Sequence, residues 1–235
     1  MSVTYAPAGD GDTVVAVVTM DDGKANALTH EVLSELRGAL DRAEDEASAV
    51  LLTGRDGRFS AGFDLGVMTS GEAPMRALVI DGARFLARLF TFPLPVVVAC
   101  NGHALAAGAL VLLAADHRIA AEGSFKIGLN EVAIGMPLPQ FGVELARYRM
   151  PPSRFDTALL GQVFDPGSAA DAGYVDRVVE PGARAAEALA TASQLAQLRK
   201  GAVARTKQAA RGAIAQEILD TVEADMASMS GPTPG

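Results

Sequence analysis

Residues 96–116 read VVVACNGHALAAGALVLLAAD, and this stretch decides the fold. Val96 to Cys100 is strand-forming, Asn101-Gly102 turns the chain, and an uncharged apolar run continues from Ala104 to Ala115. The pattern predicts strand, turn and buried helix. A strand that feeds directly into a helix start aims unpaired backbone N–H groups, and the positive end of the helix dipole, at one point in space. Such a point receives an anion or a developing oxyanion. Ala106, Ala107 and Gly108 carry nothing larger than a methyl group, so a ligand can approach the backbone there. The same residues also fit an ordinary buried helix whose small side chains serve close packing, and this stretch alone does not separate the two readings.

Outward from this stretch, strand and helix signals alternate. On the N-terminal side, Val14 to Met20 is an apolar strand closed by Asp21-Asp22-Gly23. Thr29 caps a helix with Val32, Leu36, Leu40 and Ala43 on its inner face, and Ala49 to Thr53 is the next strand. A glycine-bearing loop, Gly54 to Leu65, enters a helix near Phe63 or Asp64, and Ser70 to Pro74 reads as a mobile linker. Met75 to Phe92 is helical and is stopped by Pro93 and Pro95. On the C-terminal side, Arg118–Ala120 and Phe125–Ile127 read as short strands, and Pro139 or Gln140 opens a helix to Tyr148. Asp165-Pro166 is an N-cap with proline at the first helical position, Gly173 closes that helix, and Val175–Val179 is a final strand. From Ala183 the chain is alanine-rich and helical with a break near Lys200-Gly201, and Gly231-Pro232-Thr233-Pro234-Gly235 reads as a frayed tail. The result is α/β architecture, with a core over residues 1–182 and a helical region over 183–235.

Composition narrows the function classes. The 235 residues suffice for a full core, and 49% hydrophobic content excludes a mostly disordered chain. Twenty Lys+Arg against 28 Asp+Glu give a net charge of -8, which repels nucleic acid and anionic membrane. The single cysteine, Cys100, forms no internal disulfide and sits in the central strand, where packing is its expected role. The opening residues lack a basic n-region and an apolar h-region, and the Ala104–Ala115 run is too short to span a bilayer. A cytoplasmic protein is expected. His30, His103 and His117 share no ligand spacing with a cysteine or carboxylate cluster, so no metal site is expected. No Gly-x-Ser-x-Gly elbow and no phosphate-cradling glycine loop is present.

Glu131 is the carboxylate to single out. It stands in Ile127-Gly128-Leu129-Asn130-Glu131-Val132-Ala133-Ile134-Gly135-Met136-Pro137, an apolar, glycine-flanked context that would raise its pKa and suit it to proton transfer. A glutamate in such a turn also reads as an exposed surface residue.

Together, Phe59-Ser60-Ala61-Gly62-Phe63-Asp64-Leu65, Asn101-Gly102-His103-Ala104 with the small-residue helix start beyond it, and Gly128-Leu129-Asn130-Glu131 resemble the crotonase family, the enoyl-CoA hydratases and isomerases. Lys24-Ala25-Asn26-Ala27-Leu28 resembles that family's first CoA-contacting segment, and the likeness runs from about Val14 to Val179. It implies a superhelix of ββα repeats with a C-terminal helical trimerisation region, a homotrimer or dimer of trimers, and acyl-CoA or enoyl-CoA thioester substrates. Coenzyme A belongs to the substrate, and no separate cofactor is implied. Carried over by position, the backbone N–H groups of Phe63 and Ala107, both expected at helix starts, form an oxyanion hole for the thioester oxygen. Ala25, Ala27, Ala61, Gly62, Asp64, Leu65, Gly108 and Leu110 line the substrate site, and Glu131 is catalytic.

Two departures carry information. Family hydratases use two glutamates, and Leu110 occupies the position of the first. Adding water across a double bond needs that carboxylate to hold and deprotonate the water, whereas moving a double bond from the 3,4 to the 2,3 position needs one base. The expectation is therefore an isomerase with Glu131 as its single shuttle; a hydratase of fatty-acid β-oxidation and an acyl-CoA-binding protein without turnover are the alternatives. The second departure is that nothing after Asp225 resembles the basic, aromatic motif with which many members reach a neighbouring CoA site. Lys24, Arg55 and Lys207 are then candidates for the CoA phosphates.

Overall fold

A computed structural model describes residues 1–229. The tail from Gly231 to Gly235 lies outside the described residues. The chain runs β1 (Val3–Ala8), β2 (Val15–Met20), β3 (Ala27–Leu28), α1 (His30–Glu46), β4 (Ala49–Thr53), β5 (Gly57–Ser60), β6 (Gly62–Phe63), α2 (Leu65–Met68), α3 (Glu72–Thr91) and β7 (Val96–Cys100). It continues with β8 (Gly102–Leu105), α4 (Ala107–Ala114), β9 (His117–Ala121), β10 (Ile127–Gly128), α5 (Gln140–Arg149), α6 (Pro152–Leu159), α7 (Pro166–Asp171), β11 (Arg177–Val179), α8 (Arg184–Leu195) and α9 (Lys200–Ser228).

The repeating unit is two strands and a helix. The first strand of each unit enters a six-stranded sheet ordered β1-β2-β4-β7-β9-β11, parallel except for β1. Second strands form separate short ladders, β10-β8-β5 and β3-β6, so successive units leave the main sheet and wind as the superhelix of ββα repeats. The apolar continuity of β4 and β7 follows from burial on both faces. On one face lie α1, α3 and α4, and on the other Ala188, Ala192 and Ala196 of the α8 segment pack against Val15, Leu51, Val97 and Ile119.

Several expectations are met locally. Thr29 Oγ1 accepts from Val32 N at 3.1 Å at the start of α1, and Asp165 accepts from Ser168 N at 2.9 Å at the start of α7. Others need correction. The apolar run after Asn101 is not all helix: Gly102–Leu105 pairs with β5 and β10, and α4 starts at Ala107. An unbroken apolar run has no period to mark that switch. Val3–Ala8, read only as a leader without targeting features, forms an antiparallel edge strand that tolerates Pro7. Ser70 to Pro74 is not a mobile linker but the entry to α3, with Pro74 in the first turn, where its missing N–H costs nothing. The break between the last helices falls before Lys200, not at Gly201, and α6 and β5 were not anticipated.

The long α9 lies along α3 and is pinned by charge. Asp116, just past α4, accepts from Lys207 Nζ at 2.7 Å, Arg211 Nη1 at 2.6 Å and Val96 N at 2.7 Å. Lys207 also reaches Leu94 O and Arg211 reaches Phe90 O, so both buried cations cap main-chain carbonyls at the ends of α3 and the turn after it. No described helix is long and apolar enough to cross a membrane.

Candidate active site

Three pieces of backbone meet where the ββα units cross. Asn26, at φ 52 and fully inside, ties the first piece: its Nδ2 donates to Met20 O at 2.8 Å and lies near Arg58 O and Phe59 O, while its own carbonyl accepts from Ser60 Oγ at 2.7 Å. Ser60 Oγ in turn accepts from Gly62 N at 3.1 Å, and Asp64 N donates to Leu28 O. Successive N–H groups of a strand face opposite ways, so the N–H of Phe63 points away from β3. Asp64 Oδ1 caps α2 through Val67 N at 2.9 Å, which places the helix start at Leu65 and leaves Phe63 at a strand end, not at the helix start expected for it.

The second piece is the start of α4. Ala106 stands at φ 49 and ψ -124, a strained conformation for a residue with a side chain, and offers no side-chain cap. Its carbonyl takes Ala109 N and Leu110 N, leaving Ala107 N and Gly108 N without an intrahelical partner. Pieces one and two touch: a Cβ on Gly62 would lie 3.1 Å from Ala107 N, and one on Gly108 would lie 2.4 Å from Ser60 O. The backbone before Phe63 thus abuts the start of α4 at Ala107, and the two glycines are what permits so close an approach.

Glu131 is the third piece. It begins a single 3-10 turn, Val132–Ile134, closed by Gly135 at φ 79. The exposed-turn reading does not apply, since the residue is 8% exposed and its Oε2 is buried without a partner. Burial pushes its pKa up to about 7, with its own backbone N–H opposing.

These pieces enclose a cavity of about 550 Å³. Of the residues expected at the substrate site, Ala25, Ala27, Ala61, Phe63, Asp64, Leu65, Leu110 and Glu131 line it. Gly62, Ala107 and Gly108 stand behind the wall and are buried, so any part they play is through the main chain. Ala106, where a ligand was expected to approach the backbone, also lines the cavity, whereas sequence reasoning did not single out Met68, Val79, Met136, Pro139 or Phe141, which add to the apolar wall. Met68, Val79 and Phe141 come from three different helices, and nothing local in the sequence says that they share a cavity.

Of the three cations considered for CoA phosphates, Lys207 is excluded because it is buried on Asp116, and desolvation lowers its pKa to about 8. Lys24, next in the chain to the lining residue Ala25, and Arg55 are tied together, with Arg55 Nε donating to Lys24 O at 2.9 Å. His103 accepts from Lys126 N, His30 pairs with Asp81, and no group of metal-binding side chains occurs among the described residues. Cys100 is packed inside, its thiol pushed up to about 12 by burial.

The chain matches the family model described as enoyl-CoA hydratase/isomerase over residues 10–232. It is 32% identical over 223 residues to the human mitochondrial enoyl-CoA delta isomerase 1, covering 92% of this chain and 74% of that protein. An enoyl-CoA hydratase/isomerase family protein from Pseudomonas syringae superposes with a TM-score of 0.93 at 40% identity, covering 97% of this chain and 98% of that one. An enoyl-CoA hydratase from Mycobacterium marinum superposes with a TM-score of 0.89 at 34% identity, covering 98% and 100% of the two chains.

Proposed function

Because the chain belongs to the enoyl-CoA hydratase/isomerase family, whose members act on acyl-CoA thioesters, we propose that it is an enoyl-CoA isomerase working with one carboxylate. One observation carries the preference. Glu131, its buried Oε2 unpartnered, lines an apolar cavity whose other carboxylate, Asp64, is engaged as a helix cap, while buried Leu110 stands where a hydratase needs its first glutamate.

In this reading the thioester oxygen of a 3-enoyl-CoA accepts from the N–H groups of Phe63 and Ala107. Glu131 takes a proton from the carbon next to the thioester, and the electrons spread into a dienolate whose oxygen the two donors stabilise by roughly 3–4 kcal/mol each. The same carboxyl returns the proton two carbons further on, which leaves the double bond between carbons 2 and 3. Atoms and charge balance without a cofactor beyond the CoA carried by the substrate. A carboxyl with a pKa of about 7 is matched to both halves of this cycle at neutral pH. A coupled assay on 3-enoyl-CoA and 2-enoyl-CoA, beside a binding titration, tests it. Isomerisation without hydration is expected; comparable hydration would point to a hydratase, and binding with no turnover to a binding protein.

The assembly proposed with it is a trimer or dimer of trimers. The alanine-rich α8 and α9 allow close approach, and Leu198 and Leu219 are exposed on that region. Light scattering that finds a monomer at micromolar concentration would rule it out.

A further inference from the structure

We propose that Tyr174 is a positioning residue for Glu131: its buried hydroxyl holds the main chain at Leu129, two residues upstream, and thereby fixes where the carboxyl stands in the cavity. The proposal rests on the reading of Glu131 as the proton shuttle.

Tyr174 is placed by the end of α7. Gly173, at φ 88, turns the chain out of the helix, with Gly173 N donating to Ala170 O at 3.1 Å and Tyr174 N to Ala169 O at 2.9 Å. This paired closure leaves the tyrosine little freedom. The ring is wholly buried, with its centroid 5.8 Å from that of Phe164. At the ring's far end the hydroxyl oxygen accepts from Leu129 N at 3.1 Å.

The other ties on this segment are main chain to main chain. Ile127 and Phe164 exchange both bonds, at 2.9 and 2.8 Å, and Gly128 O accepts from Ala106 N at 3.0 Å. Beyond the glutamate, Ile134 N and Met136 N both donate to Glu131 O at 3.0 Å. Leu129, between these fixed points, is held by a side chain that belongs to a different helix end. Burial and the charge of Glu131 push the tyrosine's pKa well above its ordinary value, so the hydroxyl stays neutral through any working pH.

Removing that oxygen leaves Leu129 N–H as a buried donor without a partner, a state native proteins avoid. The unpartnered buried acceptors of the same segment are Asn130 Oδ1 and Glu131 Oε2. A shift of the segment that lets the carboxylate meet the freed N–H would favour its charged form and draw it from the substrate. Asp64 is the other ionisable side chain on the cavity wall, Tyr174 lies behind it, and no cation lines it among the described residues.

The test reads Glu131 directly. Its carboxyl band is titrated by infrared difference against Glu131→Gln, without substrate, in the natural protein and in Tyr174→Phe. The midpoint should fall by about one pH unit in Tyr174→Phe. Turnover of 3-enoyl-CoA should fall about ten- to a hundredfold with KM nearly unchanged. An unmoved midpoint, with only a lower melting temperature, overturns the proposal. If the natural protein turns over no enoyl-CoA while the midpoint still moves, the isomerase reading fails and the positioning stands. Should Tyr174→Phe not fold, 3-fluorotyrosine at position 174 keeps ring and hydroxyl but weakens the acceptor. Its midpoint should move the same way, and an unmoved one again overturns the proposal.

Discussion

The N–H of Ala106 donates to the carbonyl of Gly128 at 3.0 Å. Ala106 precedes Ala107, the proposed oxyanion donor, and Gly128 opens the segment that ends in Glu131, the proposed base, so one hydrogen bond joins the two sides of the cavity. The bond belongs to the β8–β10 ladder. A proton-transfer site needs its acid–base group and its charge-stabilising donors held to within a fraction of an ångström. Here that spacing is set by strand pairing, which is stiffer than a loop.

Glu131→Gln should abolish the shuttle and keep the shape. We expect turnover of 3-enoyl-CoA to fall by roughly 10²–10⁴ while acyl-CoA binding stays near that of the natural protein. Stability should move the other way. With a native pKa near 7 against an ordinary 4.5, the folded state keeps a proton that the unfolded chain has lost between those values. The carboxyl's contribution is therefore intact below pH 4.5 and is lost as pH rises through 7, by about 3 kcal/mol in all. Melting temperatures of the variant and the natural protein should nearly coincide at pH 4.5 and separate by pH 8, with the variant higher. Coincidence at both pH values would mean that Glu131 is not buried as described.

How much of this was legible in the sequence depends on range. Thr29 and Asp165-Pro166 announce their helices because a cap acts within three residues. Glu131's raised pKa was legible for a similar reason, since its apolar neighbours adjoin it in the chain. The short strands β5, β6 and β8 were not, because two to four residues carry no period and form only by pairing with distant partners, and β10, expected over Phe125–Ile127, falls at Ile127–Gly128. Lys207 read as a candidate for the CoA phosphates because its partner Asp116 is 91 residues away. Nothing around Gly173-Tyr174-Val175 tells that the hydroxyl reaches Leu129, for the same reason.

Asp116→Asn tests the anchor of α9. The substitution keeps the side chain's size but leaves Lys207 and Arg211, both buried, without their counter-charge. A loss of about 3–5 kcal/mol in chemical denaturation is expected. Lys207→Met removes one of the stranded cations and should restore part of the loss in the double variant. Its acyl-CoA affinity should equal that of the natural protein, because Lys207 does not reach the cavity; a weaker affinity would return it to the CoA site.

Gly62→Ala should damage the oxyanion pair. A methyl there would lie 2.9 Å from Leu105 O and 3.1 Å from Ala107 N, at a φ of 91 that side chains rarely adopt. Pushing these apart separates the donors of Phe63 and Ala107, and kcat/KM should drop by roughly 10²-fold or more. Gly38→Ala is the control, since open space surrounds it in the middle of α1. That variant should keep full activity and gain up to about 1 kcal/mol from helix propensity. Equal activity of the two variants would remove Gly62 from the site.

Leu110→Glu asks whether the missing carboxylate is what separates isomerase from hydratase. Leu110 lies in α4 three residues past Ala107, so the two share a helix face, and its side chain lines the cavity that also holds Glu131. A carboxylate there would stand near the thioester and across from the existing base, able to hold water and take its proton while Glu131 delivers one to the neighbouring carbon. We expect detectable hydration of 2-enoyl-CoA, which the natural protein should lack, with isomerisation reduced by the altered packing. The site is 1% exposed and apolar, so the variant should also lose about 1–3 kcal/mol, most of it when the new carboxyl is charged. Stability measured at pH 5 and pH 8 separates that cost from simple misfolding, because only the former shrinks on acidification. A folded variant that binds acyl-CoA yet hydrates nothing would show that Leu110 does not decide the reaction, and substantial hydration by the natural protein would defeat the single-carboxylate reading outright.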